Sequence, residues 1–279
     1  MSQSPTPNRS SRRPTALVAT CLTAFGTGAT VAAIVPPQPS VAKPTSVAKP
    51  TSAIEPRALE ALRYMGGYLR SLSRFSVDAQ TMRDELLPDG EKVTIGGTVN
   101  YLARLPDRLR ADVRTDRKQR QLLYDGKTLT VYAPRMHFYA SAPAPSTIGA
   151  TLDSARTRYG IEMPLADLFL WGTSRDGVDE LTSARYIGPA FVDGIDTDQY
   201  AYRQGGTDWQ LWVQRGNTPL PRKLVITTTD ETARPQYVAS LKWNLTPAVS
   251  DAMFTFTPPQ DASRIVFAPN TGAVNAAPK

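Results

Sequence analysis

At 279 residues and 41% hydrophobic content, the chain is long enough for one large β domain or two small ones with a buried core. Its formal charge of +7 is concentrated at the front: residues 1–54 hold five basic side chains and no acid, leaving 27 Lys and Arg against 25 Asp and Glu from Glu55 onward. A domain this close to neutral has no electrostatic footprint for nucleic acid, and one histidine with one cysteine excludes a typical zinc site and any intrachain disulfide.

The first 35 residues read as an export signal or an N-terminal membrane anchor. Arg9, Arg12 and Arg13 precede an uncharged run from Thr15 to Val35, the order in which export signals are built. Val31-Ala32-Ala33 offers small residues for cleavage, while the same run also meets the roughly 20 residues that a spanning helix requires. Val18-Ala19-Thr20-Cys21 adds lipidation at Cys21 as a third outcome. Each of these places the chain in the periplasm or on the outer face of the inner membrane. Residues 36–54 are rich in Pro, Ser, Thr and Lys and repeat Ser-Val-Ala-Lys-Pro-Thr from Ser40 and again from Ser46. Such a composition buries too little surface to offset the entropy of ordering, so it is expected to be an extended linker.

The folded domain is expected at 55–268. Pro56 suits a first helical turn, Glu55 and Glu60 complement its positive end, and Leu59, Leu62, Met65, Leu69 and Leu72 recur at helical spacing. Strands are then predicted at Phe75–Leu86, Lys92–Leu105, Arg108–Thr115, Arg120–Tyr124, Thr128–Tyr132 and Met136–Ala140. Pro88-Asp89-Gly90, Pro106-Asp107 and Asp125-Gly126 supply the turns between them. Between Pro145 and Gly172 the pattern becomes helical. Ser146 or Thr147 can cap one helix carrying Ile148, Leu152, Ala155 and Tyr159, and Pro164 can start a second with Leu165, Leu168, Phe169 and Trp171. Strands resume at Ala184–Val192, Asp196–Gln204, Thr207–Arg215, Arg222–Thr229 and Gln236–Asn244, with Asp193-Gly194 and Gly205-Gly206 as hairpin turns. Residues 269–279 read as a frayed tail. Ten or eleven antiparallel strands imply one curved sheet, because a flat sheet that wide leaves a face unprotected. The fold class is therefore mainly β (α+β), with an N-terminal helix and a helical lid over an apolar concavity.

Four motifs carry a resemblance. Tyr124-Asp-Gly-Lys-Thr-Leu-Thr-Val-Tyr132-Ala-Pro134, Trp209-Gln-Leu-Trp212-Val, Leu220-Pro-Arg-Lys-Leu224 and Phe254-Thr-Phe256-Thr-Pro258-Pro259 resemble the periplasmic lipoprotein carriers LolA and LolB and their relatives. Residues 55–268 as a whole are similar to a family of predicted periplasmic proteins grouped with that superfamily. The resemblance implies an unclosed β-barrel with helices as a lid over a cavity for acyl chains. No position is matched to the carriers' functional arginine.

Few residues suit bond-making chemistry. His137, beside Phe138 and Tyr139, reads as a structural or surface residue. The acidic groups Asp84-Glu85, Asp176 with Asp179-Glu180, and Asp230-Glu231 fall at turns or strand ends and read as solvated loops. No phosphate-cradling loop, nucleophile elbow or HExxH motif is present, so no enzyme, metal or cofactor is expected. In Arg108–Thr115 period two sets Arg108, Arg110 and Arg114 on one face, either as a solvated face of mixed charge or as a contact for anionic headgroups or an acidic partner. Trp209 and Trp212 point to opposite faces of their strand. With Tyr101, Phe138, Leu152, Leu168, Phe169 and Trp243, Trp209 is a candidate for the cavity lining, although core packing accounts for these residues too. Two functions follow. One is an envelope protein that binds a lipid or the acyl chains of a lipoprotein; the other is a sensor or scaffold module with a filled core that binds an envelope protein partner through its surface.

Overall fold

Alternation along the strands decides the architecture. The computed structural model describes residues 53–270, so the expected leader, most of the linker and residues 271–279 lie outside it. Helix α1 (Pro56–Ser71) leads into six strands: β1 (Arg74–Leu86), β2 (Lys92–Arg104), β3 (Arg108–Thr115), β4 (Gln119–Tyr124), β5 (Thr128–Ala133) and β6 (Phe138–Pro143). After α2 (Ile148–Tyr159) come β7 (Leu181–Val192), β8 (Ile195–Gln204), β9 (Thr207–Gln214), β10 (Pro221–Thr228), β11 (Gln236–Asn244) and the short β12 (Ser263–Ile265). All twelve join one sheet in the order β12-β6-β5-β4-β3-β2-β1-β11-β10-β9-β8-β7. β1 pairs with β11 and so unites two meanders, while β12 and β7 end the sheet without pairing with each other, giving an unclosed barrel in which the chain before α1 bridges to β7 at Ala184.

One parity of side chains fills the concave face. Phe75, Val77 and Ala79 of β1 lie buried opposite Ala103, Tyr101 and Val99 of β2, and Leu211, Leu224, Ala239 and Leu241 continue the layer across β9–β11. Helix α1 lays Ala58, Leu62, Met65 and Leu69 into this layer, and Ala58's carbonyl accepts the buried hydroxyl of Tyr202 at 3.0 Å. Its contact with the segment after α2 is so close that a Cβ on Gly66 would lie 2.6 Å from the backbone nitrogen of Gly172.

Several expectations change. The second helix from Pro164 is a single 3-10 turn over Ala166–Phe169, preceded by Leu165 in the left-handed region. Leu168 and Phe169 are buried, and their carbonyls accept from Arg70 Nη2 and Nη1 at 2.7 and 2.8 Å. Docking of these two side chains and capping by Arg70 outweigh the local helical spacing. Glu55 does not serve the first turn of α1; its carboxylate accepts the backbone N–H of Tyr186 on β7 at 2.9 Å. Thr147 does cap α2, accepting from Ala150.

The chain after β11 forms a strap that the strand pattern alone did not indicate. Phe254 is buried, Phe256 packs between Tyr132 and Tyr139, and β12 pairs parallel with β6. Phe267 then stacks on Tyr159 at 4.7 Å, and the Asn270 N–H donates to Arg158 O on α2 at 2.7 Å.

Candidate ligand-binding site

The concave face is filled at one end of the strands and open at the other. At the α1 end, Phe169 reaches down from its turn to within 5.8 Å of Phe75 and 5.4 Å of Tyr101, ring to ring. Trp243 covers Phe75 from the other side at 5.2 Å and donates its indole N–H to Pro221 O. Leu152 and Leu168 are buried in the same cluster. Tyr101's hydroxyl, which burial keeps protonated by raising its pKa, donates to Pro164 O and so latches residues 161–164 across the sheet.

Beyond that latch the inward parity continues without a filling side chain. Ile95 and Val99 of β2, Val113 of β3, Leu122 of β4 and Val131 of β5 line a cavity of about 200 Å³ roofed by Ile161, Met163 and Pro164. Arg83, Lys118, Arg120 and Glu162 complete the lining, together with Thr81, Thr115 and Tyr237. The Tyr237 hydroxyl is buried, has no hydrogen-bond partner among the described residues, and has a pKa that burial raises. Arg83 pairs across the strands with Tyr237, so the guanidinium and the buried donor belong to adjacent positions on one face. The volume is below the roughly 300–1,000 Å³ of ordinary small-molecule pockets. It has room for roughly half a dozen methylenes, if each takes the ~30 Å³ of a water.

A second cavity, of about 420 Å³, opens beside the first at β8–β10. Trp171, Trp209, Leu224 and Ile226 form its apolar wall, and Asp167, Asp176 and Glu180 bring carboxylates. Trp209 stacks on Tyr202 at 4.1 Å and faces Trp171 at 6.4 Å. Two of the acids already have partners: Asp176 accepts from Val178 N–H and Glu180 from Gln204. Asp167 is open to water yet deep in the concavity, and the protein around it raises its carboxyl pKa by desolvation.

Of the residues read from sequence as cavity lining, Tyr101, Leu152, Leu168, Phe169 and Trp243 come together as packed core, while Trp209 lines the second cavity. Phe138 is 40% exposed beside β12 and lines neither. Arg108, Arg110 and Arg114 lie on the outer face, where Arg108 and Arg110 pair with Asp107 and Asp112, each at 2.8 Å. His137 is in a turn, its Nδ1 2.6 Å from Asp261 Oδ2. Sequence reasoning missed Arg83 and Tyr237 as lining and took Arg120 only as part of a basic run from Arg104, although parity could have found all three, Tyr237 as the continuation of Trp243, Leu241 and Ala239. Arg83 continues the inward series Phe75, Val77, Ala79, Thr81, and Arg120 continues Tyr124, Leu122. A charge that keeps the apolar parity marks the place where a buried face becomes the mouth of a cavity.

Among the described residues, no group of His, Cys, Asp and Glu is placed to hold a metal, and no helix is long and apolar enough to cross a membrane. Fold and site together define an unclosed β-barrel whose concave face is part core and part cavity. The chain belongs to the family described as "Predicted periplasmic protein (DUF2092)", whose profile matches residues 58–268. Its compartment by that description is the periplasm. No curated protein matches the chain. Among solved structures it is similar to lipoprotein LppX of Mycobacterium tuberculosis, at 12% identity over 70% of this chain and 100% of that one, with a TM-score of 0.43. It is also similar to LprF of Mycobacterium bovis, at 14% identity over 75% and 99% with a TM-score of 0.42. A LolA superfamily protein, NE2245 of Nitrosomonas europaea, has 12% identity over 71% and 97% and a TM-score of 0.34. At these values the likenesses say nothing about a ligand.

Proposed function

We propose that this protein is a non-enzymatic envelope protein that takes a lipid, or the acyl chain of a lipoprotein, into the cavity beneath residues 161–164. The observation that carries this reading is the wall of Ile95, Val99, Val113, Leu122 and Val131 under an apolar roof, on the inner face of a sheet whose other end is tightly filled. An apolar chain in that space removes surface from water at about 25 cal/mol per Å² and displaces no hydrogen-bonded water from the aliphatic wall. Native mass spectrometry, with lipid extraction, on protein secreted to a bacterial periplasm and purified without detergent tests it. A stoichiometric adduct bearing an acyl chain is the expected result.

The filled end supports a second reading, a sensor or scaffold module that binds a protein partner through its surface. Phe75, Tyr101, Phe169 and Trp243 leave no room for a ligand there. A mass that stays that of the free protein after incubation with membranes is the outcome this reading predicts.

A further inference from the structure

We infer that the cavity beneath residues 161–164 selects an anionic amphiphile, its chain against the aliphatic wall and its acidic head at the mouth formed by Arg83, Lys118 and Arg120. The inference rests on the chain-binding reading above and adds the chemistry of the head. Two independent features carry it. The first is the balance of charge around the opening. Arg83 and Arg117 share a single carboxylate, Glu85, at 3.0 and 2.9 Å, whereas Lys118 and Arg120 form no ion pair among the described residues. Glu162 is the one acid in the lining, so three cations, Arg83, Lys118 and Arg120, stand against one carboxylate there in a domain that is otherwise nearly balanced. Arginine and lysine stems also cover apolar wall while keeping their heads in water, which suits a mouth whose interior is aliphatic.

The second feature is the Tyr237 hydroxyl. A buried hydroxyl without a partner costs free energy on folding. It belongs to a residue that lines this cavity and is the cross-strand neighbour of Arg83, and the charges that act on it are those of Asp167 and, more weakly, Arg83. Like any tyrosine hydroxyl it is a donor and not an anion at neutral pH, and burial raises its pKa further. A donor with no acceptor among the described residues is complementary to the oxygens of a carboxylate or phosphate, and it rejects an ammonium. The second cavity has the opposite charge and no comparable orphan.

The test compares three ten-carbon probes on the full chain by isothermal titration: decanoate, decanol and decyltrimethylammonium. Decanoate is expected to bind at least about tenfold more tightly than decanol, the ratio that about 1.4 kcal/mol of charge-assisted hydrogen bonding supplies, with the ammonium weakest. In the K118Q/R120Q double variant the decanoate-to-decanol ratio falls towards one, and Y237F lowers it severalfold. R203Q, on the outer face of β8, leaves the ratio unchanged. Added salt narrows it, because the cations at the mouth are exposed. Equal binding of decanoate and decanol overturns the anionic head while leaving the chain site standing. Failure of all three probes overturns the chain site itself.

Discussion

The two ends of the concave face are built by the same strands, in the same parity, with different results. Towards α1 the inward positions of β1 and β2 hold Phe75, Val77, Tyr101 and Ala103, and the turn after α2 inserts Phe169 between the rings. Towards the other end the same strands offer Arg83, Ile95 and Val99, and nothing large enters from above. The filling is thus set by what descends from the crossing segment, not by the sheet. Tyr101 marks the boundary: its ring belongs to the core and its hydroxyl holds Pro164 over the cavity.

That contrast can be broken from either side. Phe75→Ala removes a fully buried ring touched by Phe169 and Trp243, and about 3–5 kcal/mol of stability should be lost in urea or guanidinium unfolding. Tyr101→Phe strips the donor from the carbonyl of half-buried Pro164. Here the expected loss is about 0.5–1.5 kcal/mol, with faster hydrogen exchange at the amides of Ile161, Glu162 and Met163 as the sign that the latch has gone. Val131→Trp places an indole in the open end. Its unfolding midpoint should move little, by about 1 kcal/mol at most if the ring enters the void without strain, yet the acyl adduct should disappear from the native mass spectrum.

The smallest effect concerns pH. Asp167 has a carboxyl pKa raised by desolvation from the ordinary 3.8, so between that value and the raised one the folded state binds more protons than the unfolded state. Its contribution therefore falls as pH rises through that window. Asp167→Asn should flatten the decline of stability in urea titrations from pH 4 upward.

The sheet was legible because parity and turn residues agree along almost every strand. Arg108–Thr115 and Gln236–Asn244 appear at their predicted bounds, and Asp193 and Gly194 both adopt the positive φ that their hairpin turn requires. The site was less legible, because an aromatic residue on the inner face reads the same whether it fills a core or lines a space. Phe169 and Trp243 pack into core, while the aliphatic residues Val99, Val113 and Val131 border the opening. What distinguishes them is the depth to which residues 161–169 descend, and that depends on Leu165's left-handed backbone and the capping by Arg70, neither of which has a periodic signature. The strap from Phe254 to Phe267 escaped for a related reason: its partners are rings far away in the chain.

The most direct test is a titration of the protein, with 13C-labelled Ile, Leu and Val methyl groups, by decanoate. Saturable shifts are expected at Ile95, Val99, Val113, Leu122, Val131 and Ile161, with Leu152 and Leu168 in the filled end unmoved. Shifts confined to Leu224 and Ile226 in the acidic cavity, or no shifts at all, would contradict binding beneath residues 161–164.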